Sequence, residues 1–433
     1  MSGGSSRARL EAALARIDDK KGEGARACLT VYRDEAKIAA DAADARAKAG
    51  LSLGPLDGAI VSIKDLLDVK GEVTRAASKL VAEEGKPARE DAPTVRRLRR
   101  AGAVIVAKTN MSEFAFSGVG TNPHYGTPAN PADRTRVPGG STSGGAVAVA
   151  DGMCEIAIGS DTGGSLRIPA ALCGIVGFKP SRQRIPTTGA FPLSFSLDSI
   201  GPMANTVADC AKADAVLASE EYAGLDAAPL AGLRVGIAQG LPLDGLDDTV
   251  AMTFPAALKR LEAAGIRLSE EKLPLIDDMM AVNAKGGLAP PEALMIHRDR
   301  LARRADAIDP NVAARIERAA KISAADYVEM QQARTALVAA MDARLADVDV
   351  LVSPTTPIVA PTIAEVDDRA TFGRKNALLL RNTSIWNFFD CCAISLPLPQ
   401  ENGHNTGLML IVRNGNDKRL FRIAVAVEKL LAV

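Results

Sequence analysis

Histidine is nearly missing from this 433-residue chain: His124, His297 and His404 are the only three, each isolated and without an acidic partner at recognisable spacing. A Ser-His-Asp triad assembles in space and is not excluded by this, but nothing in the sequence signals one. Aromatic residues make up 3% with a single tryptophan, too few for a surface on which bases stack. Charge of one sign is missing as well, since 52 basic residues face 52 acidic ones at a net charge of zero. That balance argues against a nucleic-acid partner held by bulk positive charge. The one basic cluster, Arg96 to Arg100 in VRRLRRAG, reads as the solvated face of a helix.

Other absences narrow the chemistry. The six cysteines, Cys28, Cys154, Cys173, Cys210, Cys391 and Cys392, contain no C-x-x-C, which removes the usual zinc and dithiol signals. Most sit in apolar runs such as AALCGIVGF and read as small core residues, and the adjacent pair Cys391 and Cys392 is poorly placed for a disulfide. No metal and no cofactor is expected. The phosphate-binding pattern G-x-x-x-x-G-K-[ST] does not occur, and GSDTGGSLR lacks the lysine that would reach phosphates. Nowhere do 18 apolar residues run together, and the start MSGGSSRARLEAALARIDDKK has no apolar export core. The expectation is a cytoplasmic protein with no membrane partner, a short disordered lead, and a first helix from about Ser6 with Leu10, Ala13, Leu14 and Ile17 on one face.

What the chain does contain is concentrated between Pro138 and Pro180, in PGGSTSGGAVAVADGMCEIAIGSDTGGSLRIPAALCGIVGFKP. Two serine and glycine clusters flank an apolar helix-to-strand passage. Glycine permits positive φ and close backbone approach, while Ser141, Thr142, Ser143, Ser160, Thr162 and Ser165 crowd hydroxyls into a small region. A flexible linker shares these letters, yet a linker would not enclose AVAVA and EIAIG, which are apolar enough to be core. The stretch reads as a catalytic cradle.

A nucleophilic serine needs a base, and with histidine so scarce the candidate is Lys64 in GAIVSIKDLLDVKG. Gly58 to Ile63 reads as a short buried strand with Lys64 at its end, where open α/β sheets place functional groups. A desolvated ammonium loses its proton more readily and can serve as a base near neutral pH. An ion pair of Lys64 with Asp65 or Asp68 at a sheet edge explains the local sequence equally well.

At this point the chain resembles the amidase signature family, whose hallmark is a glycine- and serine-rich run and whose catalytic set is Ser-cisSer-Lys. The residues that carry the resemblance are GGSTSGG and GSDTGGSLRIPAALCGIVGFKPS, with Ser141 and Ser165 at the family's spacing of 24 positions. Upstream IKDLLDVKG and RRLRRAGAVIVAKTNMSEFAFSGVGTNPHYGTPANP are similar in order and kind. So are GAFPLSFSLDSIGPMANTVADCA, DVLVSPTTP and AISLPLPQENGHNTGLMLIV downstream. The resemblance implies Ser165 as nucleophile, Ser141 as a bridging serine after a cis peptide bond, and Lys64 as base. It also implies an oxyanion hole from the backbone amides of Thr162, Gly163, Gly164 and Ser165, where small residues let N–H groups converge on one oxygen. Thr142, Ala77 and Asn205 stand where the family often has serine, glycine and arginine, departures that touch fine geometry and substrate preference but no triad member.

The coarse pattern alternates strand and helix. Strands are expected at Ala59 to Ile63, Ala103 to Ala107, Glu155 to Gly159, from Leu233 and from Asp349. Helices are expected at Thr94 to Ala101, Ser143 to Asp151, Thr206 to Leu217 and Ala324 to Ala346. This predicts an α/β fold with a mixed central β-sheet sandwiched by helices, as a single domain over 1–433. Residues 275–346 are more helical and charged, a helical cover subdomain in the C-terminal half that either shapes the substrate entrance or simply shields the sheet.

For the substrate pocket the resemblance points to Phe114, Phe116, Ser117 and Gly118, and to the segment Ser384 to Phe389 with Ile385, Trp386 and Phe388, each of which also suits a core. Arg167 and Arg182 are candidates for holding an acidic group, with Arg167 better suited to structure. The expected partner is a small-molecule amide, with a homodimer left open. Three functions compete: a stand-alone amidase releasing ammonia and a carboxylate, a glutaminase-type subunit of a tRNA-dependent amidotransferase, and an idle scaffold of the same fold. PSRQRIPTTGAFPLSFSLD resembles the stand-alone amidases more closely. The joint presence of Lys64, Ser141 and Ser165 argues against the scaffold.

Overall fold

Apolar runs long enough to be buried on both faces predict strands inside a sheet rather than at its rim, and such runs form much of the interior of one sheet of eleven strands. The computed structural model describes residues 4–432, so the first three residues of the expected disordered lead lie outside the described residues. In chain order the strands are β1 (Cys28–Val31), β2 (Ile60–Lys64), β3 (Val104–Thr109), β4 (Ile156–Ser160), β5 (Val176–Lys179) and β6 (Ile200–Ala204). They continue with β7 (Arg234–Ala238), β8 (Arg267–Glu271), β9 (Val350–Pro354), β10 (Cys392–Pro397) and β11 (Gly407–Val412). Across the sheet the order is β1-β3-β2-β4-β6-β5-β10-β11-β9-β7-β8. Pairing is mixed: β3, β2 and β4 are parallel, as are β9, β7 and β8, and antiparallel pairs join these blocks.

Side-chain alternation along β2 explains the layers. Val61 and Ile63 point into a large apolar cluster with Ile156, Ile158 and Phe178, while Ile60 joins Leu10, Leu14, Val147 and Ala157 in a second cluster on the other face. Both faces are therefore covered, the second by the N-terminal helix Ser6–Asp18 and the helix Ser143–Ala150. Ser5 caps the first of these by accepting from the Ala8 amide. The helix Ser143–Ala150 comes close because it is built of small residues: a Cβ on Gly144 would lie 2.4 Å from the Ala27 carbonyl oxygen.

By parity Lys64 shares a face with Ile60, the face on which the helix Ser143–Ala150 and the turn before it lie. Because β2 and β4 are parallel with Ile63 opposite Ile158, Lys64 and Ser160 both end their strands at the same edge of the sheet. Strand β2 is interior, flanked by β3 and β4, and not an edge. Residues 275–346 hold the helices Leu275–Asn283, Ala289–Arg304, Pro310–Glu317 and Ala324–Arg344, joined by short turns. The last of these begins with a capping box between Ser323 and Asp326. Among the described residues no helix is long and apolar enough to cross a membrane.

Candidate active site

Lys64 is fully buried, and no carboxylate pairs with it among the described residues. Its Nζ lies 2.8 Å from Ser141 Oγ and 2.9 Å from Ser160 Oγ. The ion pair with Asp65 that the sequence allowed does not form: Asp65 is taken by Arg75 at 2.9 Å, and its other oxygen accepts from the Ala77 amide. Desolvation pushes the Lys64 amine down to about 7, outweighing the opposing pull of the Asp161 and Asp198 charges. A buried amine held by two hydroxyls and free of a salt bridge is suited to proton transfer near neutrality.

Ser141 is positioned from both sides. The Gly140–Ser141 peptide bond is cis. The Ser141 carbonyl accepts from the Ser112 amide at 3.1 Å, and the next amide, of Thr142, donates to the Ser165 carbonyl at 3.2 Å. A side chain at residue 140 is not accommodated, since a Cβ there would sit 2.7 Å from the Ser117 carbonyl oxygen. The Lys64–Ser141 contact is thus in place, while Ser165 Oγ makes no hydrogen bond among the described residues. Such contacts are commonly loose before substrate binds and tighten in the complex.

The turn carrying Ser165 is organised by Asp161, a residue whose role has no signature in the sequence. Fully buried, its carboxylate accepts from the amides of Gly164 (2.8 Å) and Leu166 (3.1 Å), from Arg167 Nη2 (2.9 Å) and from Asn387 Nδ2 (2.8 Å). Burial alone would raise this carboxyl, but Arg167 and the hydrogen bonds bring it down to about 2. Arg167 is fully buried against Asp161, Asn387 and Met409, so it belongs to the frame of the turn and not to the cavity. Arg182 does not line the cavity either, and lies 3.9 Å from Asp390.

The Asp161 contact takes one amide away from the oxyanion hole that the resemblance implies. The Gly164 N–H, expected to point at the substrate oxygen, is committed to Asp161, whereas those of Thr162, Gly163 and Ser165 form no hydrogen bond among the described residues. Gly164 has φ +133° and a Cβ there would come within 2.1 Å of Thr383 Oγ1, so the turn requires glycine at this position. Thr383 in turn donates to the Gly163 carbonyl at 2.6 Å. Thr162 is fixed by its own hydroxyl, which donates to Asp198 at 2.6 Å, and burial raises that carboxyl to about 6.

Removing Asp161 tests this frame. The substitution Asp161→Ala strands the Arg167 charge in the interior and releases two amides, a loss of about 3–5 kcal/mol for a broken buried pair. A urea titration followed by circular dichroism should show a clearly lower unfolding midpoint; an unchanged midpoint would refute the structural role.

Ser165, Thr162 and Gly163 open onto a cavity of about 260 Å³. Phe116, Ser117 and Phe388 line it, as do Leu193, Leu288 and Leu380. Four residues named from the resemblance lie elsewhere. Phe114 is buried in the core, stacked on His297 with ring centroids 3.9 Å apart. Gly118 donates its amide to Asn376 at 2.8 Å behind Leu380. Ile385 and Trp386 are fully buried in a separate apolar cluster with Phe389 and Met409. The helix Arg369–Phe388 explains the last two: Leu380, Ser384 and Phe388 recur every four residues along the cavity, and the next two positions after Ser384 are turned about 100° and 200° away, into the core.

The histidines stand apart from this arrangement. His297 is buried and its imidazole is pushed down to about 3, and His124 meets Glu113 at 3.1 Å, a pairing its sequence position did not signal. None of the three lines the cavity. Ser160 and Arg315 are the contacts that sequence reasoning left without a role. Ser160 was traceable as the end of a strand parallel to β2; Arg315, in NVAARIER, carried no local signal.

The family described as Amidase matches residues 8–421. The chain is 37% identical over 402 residues to 2-amino-5-chloromuconic acid deaminase of Comamonas testosteroni, covering 92% of this chain and 86% of that protein. It is 35% identical to a glutamyl-tRNA(Gln) amidotransferase subunit of Halobacterium salinarum, covering 88% and 97%. Among solved structures, one described as the crystal structure of an amidase superposes with a TM-score of 0.87 at 32% identity, covering 99% of this chain and 97% of that one.

Proposed function

The chain belongs to the amidase family, and from that premise we propose that it hydrolyses a small carboxamide to a carboxylate and ammonia through an acyl-enzyme on Ser165. The observation that carries this reading is the buried Lys64 amine, drawn down to about 7, with Nζ 2.8 Å from Ser141 Oγ and the Ser165 turn beside it.

In the first step neutral Lys64 takes the proton of Ser141 while Ser141 Oγ takes that of Ser165. The Ser165 Oγ–C bond forms as the carbonyl π pair moves onto oxygen, where the free amides of Thr162, Gly163 and Ser165 receive the negative charge. Each pre-aimed donor of this kind contributes about 3 kcal/mol to lowering the barrier. When the oxygen pair returns, the C–N bond breaks and the nitrogen leaves as ammonia, carrying the proton handed back from Lys64 through Ser141. Water then attacks the ester and gives its proton to the same pair. The C–Oγ bond breaks, Ser165 regains its proton and the acid departs.

A second reading keeps the same residues and chemistry but makes the chain a glutaminase-type subunit, favoured by its similarity to the amidotransferase of Halobacterium salinarum. An idle scaffold fits poorly, because a chain that only binds has no use for a desolvated, unpaired lysine beside two serines. The deciding experiment measures ammonia release from aliphatic, aromatic and acidic amides and from glutamine. Release from simple amides by the chain alone is expected. Turnover of glutamine only, and only with partner subunits, would select the second reading, and no release from any of them under either condition would refute both.

A further inference from the structure

The cavity before Ser165 is walled mainly by apolar side chains, among them Phe116, Leu193, Leu288, Leu380 and Phe388, and a single charged side chain lines it, Arg315. Arg315 comes from the helix Pro310–Glu317 of the helical cover. Its Nη1 donates to the Phe116 carbonyl at 2.6 Å, and its guanidinium carbon stands 4.1 Å from the centre of the Phe116 ring. These two contacts fix the plane of the group and use one of its five N–H donors.

No acidic side chain pairs with Arg315 among the described residues, and the one charge acting on it is the like charge of Arg318. Burial draws its guanidinium down to about 10. Among the described residues the two buried arginines are matched, Arg167 by Asp161 and Arg334 by Asp390, and half-buried Arg184 meets Asp214. A cation held at the wall of an apolar cavity without a counter-charge is unfavourable unless a ligand supplies one.

We propose that the substrate is an amide that also bears a carboxylate, and that Arg315 binds this carboxylate while the amide lies at Ser165. The fork of N–H groups left free by Phe116 suits a planar, two-oxygen acceptor. At about 260 Å³ the cavity is at the small end of ligand sites, which limits the substrate to a short chain between the two groups. The inference rests on the amide-hydrolase reading for the reacting end and goes beyond it in naming the other end.

The test separates binding from turnover. Calorimetry on full-length Ser165→Ala protein measures the affinity of succinamate, glutaramate and adipamate against their neutral counterparts butyramide, pentanamide and hexanamide. At least one acid should bind about ten- to a hundred-fold more tightly than its counterpart, the range expected for hydrogen bonds to a charged group. Adding Arg315→Met should remove that preference and Arg315→Lys should keep part of it, with thermal melts confirming that each variant folds. Equal affinities at all three lengths, or a preference that survives in Arg315→Met, would overturn the assignment. Preference for the acids in a chain whose native form releases no ammonia would sustain the carboxylate site at Arg315 while rejecting the amide-hydrolase reading on which the reacting end of the substrate rests.

Discussion

Ser165→Ala is expected to lower kcat/KM by about four to six orders of magnitude while leaving the fold intact, the loss found when a nucleophile is removed from a set that acts as a unit. At 1.36 kcal/mol per factor of ten this is roughly 5–8 kcal/mol of transition-state stabilisation. Folding should be spared because Ser165 Oγ makes no hydrogen bond among the described residues, so its loss leaves no buried partner unsatisfied. Steady-state ammonia release with a parallel thermal melt measures both quantities. A variant that keeps a tenth of its activity would place the nucleophile elsewhere.

Lys64→Met, which keeps an unbranched apolar stem and removes the amine, is expected to cost about three to four orders of magnitude in kcat/KM together with the acid limb of the pH profile. The sign follows from the proton. Below about 7 Lys64 carries its proton and cannot accept another, so kcat/KM of the native chain should rise about tenfold per pH unit up to that point and level off above it. An ordinary lysine at 10.5 is neutral in only about one molecule in three thousand at pH 7, whereas at about 7 half are neutral, a gain of about 10³ in active form. A profile that keeps the same limb in Lys64→Met would assign the titration to another group, and Asp198, raised to about 6, would be the first to examine.

The sequence displayed some parts of this molecule far better than others. Strands β2, β3 and β4 were legible because each is a continuous apolar run buried on both faces. Strand β8, RLSEE, lies at the edge of the sheet with exposed charges, and β6, IGPMA, carries glycine and proline, so neither presents a strand pattern. The antiparallel joins between the parallel blocks are tertiary choices with no local signature.

Lys64, Ser141 and Ser165 stood out because strand ends and glycine-rich turns leave local marks. Which amides of the Ser165 turn remain free did not, because the Gly164 N–H is claimed by a carboxylate whose orientation depends on Arg167 and on Asn387 from a distant helix. Trp386 invited a pocket role by its size and rarity, yet helical phase alone turns it into the core. Arg315 shows the reverse. One arginine in a charged helical region is unremarked in sequence, and only the apolar cavity around it sets it apart.

The central claim, that a proton relay from Lys64 through Ser141 activates Ser165, is tested most directly by reaction with an electrophilic serine probe followed by peptide mapping. The expected result is a single adduct on Ser165, forming faster as pH rises through about 7 and strongly slowed in Lys64→Met and Ser141→Ala. An adduct on another serine, or labelling of Ser165 at an unchanged rate in both variants, would contradict it.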